Sequence, residues 1–403
     1  MQKHTPSLDW IEAQQAKMVE RLIVWAGINS SSDNLPGLSK MLSVLEKDFS
    51  ILNGNMERIA LPPRSVISPS GEPGTHPIGE ALRITKRPNA AIKILLAGHM
   101  DTVYPLSHPF QNVSPVDGNI LRGPGVADMK GGLLIMLTAL EALERHPAAE
   151  NVGWEVLINP DEEIGSVGSE HLFREAAKRC QLGLIFEPSF TDGGIVSSRK
   201  GSMNISVVAK GKAAHAGRDF DKGYNAILAL ADFIGRASQL NDCERGISIN
   251  PGHIMGGGPV NIVPDLAICR MNLRAIDKID FINTSKKLLE IVNSNKITGV
   301  QLTLHIESMR IPKLFDENCS NLFEMINQCA KDEGYTLIHR PSGGVCDGNI
   351  LAEEGMPVID TLGVIGGDIH TSNEYILIDS LVKRSRLIGL FLTRLATGGG
   401  VKK

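Results

Sequence analysis

The stretch Ile92-Lys93-Ile94-Leu95-Leu96-Ala97-Gly98-His99-Met100-Asp101 decides the fold. Its first six residues form an apolar run interrupted only by Lys93, and a short run of this kind ending at a glycine reads as a buried strand. His99 and Asp101 follow directly. Residues i and i+2 of an extended segment face the same way, so Asp101 can lie beside the His99 ring and fix its tautomer. Metal-bound histidines need such a neighbour. The same spacing also suits a turn in which His and Asp merely hydrogen-bond.

Downstream of this strand, 133–143 reads as an apolar helix opened by Gly131-Gly132, and 154–158 and 182–186 as two more short buried strands. Strands alternating with helices imply an α/β fold with a parallel or mixed sheet covered on both faces. Upstream, 8–28 carries Leu8, Ile11, Met18, Leu22 and Trp25 at helical spacing, and 38–53 repeats the pattern. The stretch 61–88 is rich in Pro, Gly and Ser and reads as loops with a short strand.

The texture changes near Arg199. Residues 203–209 alternate as in a half-exposed strand, 224–240 reads as a helix, 261–273 as a strand, 281–292 as a helix and 300–306 as a strand. This block, 199–311, is expected to be a small α+β unit inserted in a discontinuous larger domain made of 1–198 and 312–403. Past Ile311 the α/β texture resumes, with a helix over 319–332, a strand over 357–361 and a final helix from near Asp379. Two domains also suit a chain of 403 residues, which is long for one ordinary core.

Composition narrows the function. A net charge of −4, with no basic stripe and no run of like charges, argues against nucleic acid as a partner. No segment approaches the length of apolar chain that a membrane-spanning helix needs. The cysteines Cys180, Cys243, Cys269, Cys319, Cys329 and Cys346 form no C-x-x-C pair and no disulfide framework. The start, Met1 to Trp10, is polar and lacks the apolar core of a signal peptide. The expectation is a cytoplasmic protein, or a periplasmic one where an export signal has been removed.

Four further motifs carry chemistry. Asp128 lies in Gly123-Pro124-Gly125-Val126-Ala127-Asp128-Met129-Lys130-Gly131-Gly132, where the glycines permit unusual backbone angles. The spacing is not that of a phosphate-binding loop. A carboxylate there suits either a bridge between two metals or a helix N-cap. Asp161-Glu162-Glu163 follows the strand 154–158. Three adjacent acids repel unless something cationic neutralises them, and two glutamates can divide the work of ligand and proton acceptor. An acidic helix N-terminus is the competing reading. Glu187 ends the strand 182–186, at the edge where open α/β sheets keep their sites. His370 lies in Gly366-Gly367-Asp368-Ile369-His370-Thr371-Ser372-Asn373-Glu374. Together these give two histidines and three carboxylates of the types that catalytic zinc accepts.

In this order the motifs resemble the zinc metallopeptidase family of glutamate carboxypeptidase, acetylornithine deacetylase and succinyl-diaminopimelate desuccinylase, with glutamate carboxypeptidase nearest. The resemblance covers almost the whole chain. It implies a catalytic domain with a mixed sheet between helices, and an inserted lid that also makes a homodimer. It implies one zinc on His99 and Glu187, a second on Glu163 and His370, and Asp128 bridging both. Cobalt or manganese would suit the same donors. Glu162 would be the general base acting on a water shared by the two metals, and Asp101 would support His99. A cis peptide is implied at Asp128–Met129. Glu187, where aminopeptidase and dipeptidase members more often carry Asp, implies a substrate with a free carboxylate on the leaving amino acid.

The resemblance also assigns His215, in Gly211-Lys212-Ala213-Ala214-His215-Ala216-Gly217, to the lid histidine that reaches the neighbouring subunit's site and steadies the oxyanion. Asn261 matches a substrate-contacting asparagine, and Arg274 and Arg310 match carboxylate-binding arginines. An arginine's planar fork can grip both carboxylate oxygens, although a surface ion pair is the plainer use of either residue. Gly344 belongs to a Gly-rich substrate loop, Ser342-Gly343-Gly344-Val345-Cys346-Asp347-Gly348-Asn349, in which Cys346 replaces the commoner Ser or Thr. The expected activity is hydrolysis of an amide bond that releases a carboxyl-terminal amino acid such as glutamate. Alternatives are an N-acyl-amino-acid deacylase or dipeptidase of the same family, and an inactive binding protein. A serine hydrolase is not indicated, since no G-x-S-x-G elbow is present.

Overall fold

The computed structural model describes residues 6–398. The first five residues of the expected domain 1–198, with that part of the polar start Met1 to Trp10, and residues 399–403 lie outside the described part. The larger body is built on a six-stranded mixed sheet in the order Asn55–Ile59, Ala81–Lys86, Val152–Asn159, Ile92–His99, Leu182–Ile185, Val358–Ile359. The second strand runs antiparallel to both of its neighbours. The last four run parallel.

The deciding stretch is the strand Ile92–His99, buried from Ile94 onward. Successive side chains face opposite sides of a sheet, and both sides are covered here. Ile94 and Leu96 pack into the core made with the helices Gln15–Ala26, Leu35–Phe49, Gly131–Glu144 and Asp379–Ala396, whereas Leu95 and Ala97 pack against Leu172, Phe173 and Leu351. That two-sided burial explains an apolar run in place of an alternating one. The helix Gly131–Glu144 is buried from Gly131 to Leu143. Each of its buried leucines contributes roughly 1.5–3 kcal/mol relative to exposure.

Residues 201–310 build a second, four-stranded antiparallel sheet in the order Ser248–Gly256, Leu266–Ala275, Gly201–Lys210, Gln301–Arg310. The helices Ala226–Ser238 and Lys278–Asn293 contribute Phe233 and Phe281 to its core. The strand read as half exposed is exposed only at Asn204 and Lys210. Its other face is partly covered, because Val208 and Ile268 pack on Ile67 of the hairpin Arg64–Ile67/Pro73–His76.

Other departures have equally local causes. The helix expected over 8–28 is two helices, Pro6–Glu12 and Gln15–Ala26, separated by a turn. The stretch read as loops over 61–88 contains Ala81–Lys86, a full member of the main sheet, and the hairpin, since its Pro and Gly residues sit between short strands. The strand expected over 261–273 divides at Pro264-Asp265 into Ile262–Val263 and Leu266–Ala275. The edge strands Asn55–Ile59 and Ser248–Gly256 lack a regular apolar alternation, and the second also shifts register between Pro251 and His253. No described helix is long and apolar enough to cross a membrane.

Candidate metal centre

The carboxyl ends of the parallel strands converge on one cluster, the usual place for a site in an open α/β sheet. His99 is the last residue of its strand and stands opposite Asn159 in the ladder. Its Nδ1 lies 3.0 Å from the Asp101 carbonyl oxygen and 3.3 Å from Asp101 Oδ1. Asp101 is therefore beside the ring, and it does more than that. It also accepts from the backbone N–H of Glu162 and Glu163 at 3.2 and 3.1 Å and from Ser32 Oγ at 2.7 Å. One buried carboxylate thus fixes the histidine and the start of the glutamate loop together.

Asp128 sits in a tight turn before the helix Gly131–Glu144. Gly125 takes φ +72, a left-handed angle that favours glycine, and the peptide Asp128–Met129 is cis. Glu374 holds the turn from across the molecule. Its two oxygens accept from the backbone N–H of Gly125, Ala127 and Asp128 at 3.1, 2.8 and 3.0 Å, and from the Tyr104 hydroxyl at 2.8 Å.

The two Asp128 oxygens face two different donor sets. Oδ1 lies 3.1 Å from His99 Nε2, which is itself 3.8 Å from Glu187 Oε1. Oδ2 lies 3.3 Å from His370 Nε2, which is 3.4 Å from Glu163 Oε2. His99, Asp128 and Glu163, and likewise His99, Glu162 and Glu187, come close enough together to hold a cation, and the shared His99 makes these two overlapping selections from one cluster.

The electrostatics point the same way. Burial, and then the charge of Asp128, push Glu163 up to about 8. Burial likewise raises Glu187 to about 7, with Asp128 adding to the rise. Hydrogen bonds to Asp128 and Glu163 raise His370 to about 11. Burial opposes the charged form of His99, yet Asp101 and Asp128 hold it well above its ordinary range. Glu163 and Glu187 are pushed towards their protonated forms and His99 and His370 towards theirs, the response of a crowded acidic cluster in which a positive charge is favoured. Glu163 Oε1 is buried without a hydrogen-bond partner among the described residues. The donor types, the two Asp128 oxygens facing different histidines, and that orphaned oxygen fit two divalent cations.

A cleft of about 360 Å³ opens beside the cluster, walled in part by Glu162, Phe190, Arg199, Gly344 and His370. Gly344 is one of its walls. His215 and Asn261 are exposed and do not line the cleft. They lie together on the inserted unit, where His215 pairs with Ile262 and Ala216 N donates to Asn261 O at 2.9 Å. Arg274 reaches the Gly-rich loop by donating to Gly343 O at 2.6 Å. Arg310 differs from expectation. It is buried, does not line the cleft, and directs its fork at Glu162 Oε1 (2.7 Å) and Asp347 Oδ1 (3.0 Å).

Sequence reasoning gave no role to Arg199, Glu374 or Asp347. Arg199 lines the cleft and grips Asp360 at 3.0 and 2.9 Å while donating to Gly344 O at 3.3 Å. Glu374 and Asp347 both fell inside quoted motifs. Their partners lie 249 and 181 residues away in the cases of Gly125 and Ser166, so no local spacing could reveal them.

An α/β body with a site of this composition at its strand ends defines a metal-dependent hydrolase of the metallopeptidase class. The chain belongs to peptidase family M20/M25/M40, whose model matches residues 95–394. It is 30% identical over 308 residues to carboxypeptidase G2 of Pseudomonas sp. (strain RS-16), covering 76% of this chain and 74% of that one. It is 28% identical over 316 residues to succinyl-diaminopimelate desuccinylase of Buchnera aphidicola, covering 72% and 80%. Its fold matches that of the M20 family metallo-carboxypeptidase Sso-CP2 from Sulfolobus solfataricus with a TM-score of 0.74 at 17% identity, over 94% of this chain and 99% of that one.

Proposed function

We propose that the protein is a two-zinc carboxypeptidase that cleaves an amide bond next to a free carboxylate and releases an amino acid such as glutamate. The observation that carries this reading is the division of Asp128 between two donor sets. His99 and Glu187 would hold one metal, Glu163 and His370 the other, and Asp128 both. Bound there, the metals would polarise the amide carbonyl and make the attacking water more acidic. Glu162 lines the cleft and has Oε1 engaged by Arg310, which leaves Oε2 to take the water's proton and deliver it to the departing amine. The likeness to carboxypeptidase G2 supports a glutamate-releasing activity. The likeness to the desuccinylase keeps N-acyl-amino-acid deacylation as the second reading.

The active unit in this proposal is a homodimer formed through the inserted unit as a lid, with His215 of each chain serving the other's oxyanion. The exposed apolar residues Ile227, Leu228, Val260 and Ile262 of the inserted unit, of which Ile262 pairs with His215, support a contact through that unit. The six unpaired cysteines support a reducing compartment.

The test is hydrolysis of N-acyl-glutamate, γ-glutamyl and folyl-glutamate amides beside N-acetyl-ornithine and dipeptide controls, with metal-replete and chelator-treated protein. Metal-dependent release of the carboxyl-terminal amino acid, fastest for glutamate, is expected. Faster turnover of N-acetyl-ornithine would move the assignment to deacylation. Sedimentation equilibrium checks the dimer, and a monomer that is fully active would end the exchange of His215.

A further inference from the structure

The inserted unit meets the body through two antiparallel segments. Arg199 pairs with Lys313 and Ser202 with Arg310 across them. Asn349, at the end of the Gly-rich loop, spans both segments by donating to Lys200 O at 3.1 Å and Ile311 O at 2.8 Å. Two cationic residues fasten the same joint to one buried acid of the body, since Arg199 and Lys313 both pair with Asp360, at 2.9 and 3.2 Å.

Arg310 extends that joint to the chemistry. It is the last residue of the strand Gln301–Arg310. Nη1 donates to Glu162 Oε1 at 2.7 Å, and Nη2 donates to Asp347 Oδ1 at 3.0 Å and to Ser166 Oγ at 2.5 Å. Asp347 is in turn held by Ser166 Oγ at 2.5 Å and Asn159 Nδ2 at 3.0 Å. The side chains of Arg310, Glu162 and Asp347 are only 5%, 10% and 3% exposed. A buried charge pair is held firmly, because separating its members strands both charges away from water.

From this geometry we propose that Arg310 is the positioning residue of the base, fixing the Glu162 carboxylate from the joint of the inserted unit and so tying the base's aim to how that unit is seated. The proposal rests on the reading of Glu162 as the base. A free glutamate side chain samples several rotamers. A guanidinium that also grips Asp347 selects one of them, because its donors lie in a fixed plane. A lysine would present a single point charge and could not hold two acids in that fork. The contrast with the resemblance is sharp. An arginine that gripped the substrate's carboxylate would face the cleft with its fork free, whereas both terminal nitrogens of Arg310 are already engaged inside the protein.

Kinetics distinguish the two roles on the full-length, metal-loaded protein with the fastest amide of the substrate panel. Arg310→Ala is expected to lower kcat by about 100-fold, the scale of a misplacement of about 1 Å, with KM little changed and two equivalents of metal still bound. Added guanidinium ion should restore part of the kcat, which it would not do for a merely structural loss. A raised KM with kcat intact would overturn the proposal in favour of substrate binding, and unchanged kinetics would overturn it outright. Should Arg310→Ala fail to fold, Arg310→Lys and Asp347→Asn carry the test, each with the same expected fall in kcat. Glu162→Gln run alongside separates the two claims. Turnover retained there sinks the base assignment itself, whereas turnover lost there with normal kinetics for Arg310→Lys sinks only the positioning role.

Discussion

The two sheets of this molecule bury their residues differently. In the body, every residue of Val152–Asn159 is buried and the neighbouring strand Ile92–His99 is parallel to it. In the inserted unit, the edge strand Ser248–Gly256 is exposed at most positions and all pairings are antiparallel. Parallel strands deliver their carboxyl ends to one side, so His99, the glutamate loop after Asn159 and Glu187 arrive together without any further device. An antiparallel sheet has no such convergence. What the inserted unit offers is surface and reach: an exposed His215 and Asn261 on one part, and Arg310 at its joint with the body. In the proposed function, metal and chemistry fall to the body, and closure and aim to the inserted unit.

Chelation of the proposed metals should be the largest perturbation of the body. Chelation should abolish amide hydrolysis entirely and lower the Tm, because a cluster of buried carboxylates is left without its cations. Restoring zinc should recover both. Protein that hydrolyses amides as well after exhaustive chelation, with metal content confirmed as nil, would detach the activity from the cluster.

Next in size is Glu162→Gln, a change confined to the body. General acid–base catalysis contributes on the order of 10²–10⁴-fold, and a fall in kcat of about 10³-fold is expected with both metals retained in elemental analysis. Loss of metal in this variant would mean that ligand and base had been interchanged between Glu162 and Glu163.

How much of this was legible beforehand follows the same division. The body's strands showed themselves as apolar runs, because burial on both faces leaves no polar positions to confuse the pattern. His99, Asp128, Glu162, Glu163 and Glu187 stood out because each follows a strand or sits in an unusual loop, whereas His370 and the division of roles among the six came from the resemblance; the structure brings the six side chains into one cluster. The inserted unit was legible as a change of texture, yet its edge strand Ser248–Gly256 was not. Edge strands are shaped by solvent and by Pro251 and Gly252 as much as by core packing. Contacts made across the chain were illegible altogether. Arg310 could be matched to a substrate arginine by position, but only the fold shows its fork turned inward to Glu162 and Asp347.

His215→Ala tests the inserted unit's side of the comparison. Removing one oxyanion donor costs on the order of 10²-fold in kcat, with metal content and Tm unchanged, since the side chain is exposed and its Nδ1 accepts only a local bond from Gly217 N at 3.1 Å. Mixing this protein with Glu162→Gln sharpens the point. If the histidine serves the partner subunit, mixed dimers pair a sound base with a sound histidine in one of their two sites, and activity should rise above that of either variant alone. No rise on mixing, with dimers demonstrably exchanging, would return His215 to its own chain or remove it from the reaction.

The smallest expected effect lies in the scaffold behind the metals. The Tyr104 hydroxyl lies 2.8 Å from Glu374 Oε2 and 2.9 Å from the Thr371 carbonyl oxygen, so its single proton is shared between them, and Glu374 in turn braces the turn that presents Asp128. In Tyr104→Phe the same oxygen keeps its bond from Gly125 N at 3.1 Å, so the carboxylate is not orphaned. The loss should be that of the one hydroxyl proton's bonding, about 1 kcal/mol, or about 1 °C in Tm for a chain of this size. Because three backbone donors still hold Glu374, Asp128 should not move, and kcat and metal affinity should stay as they are. A drop in kcat comparable to that of His215→Ala would show that the turn is poised on the tyrosine. The body's site would then owe its rigidity to a single side-chain bond, and no longer to the many backbone contacts that distinguish it from the inserted unit.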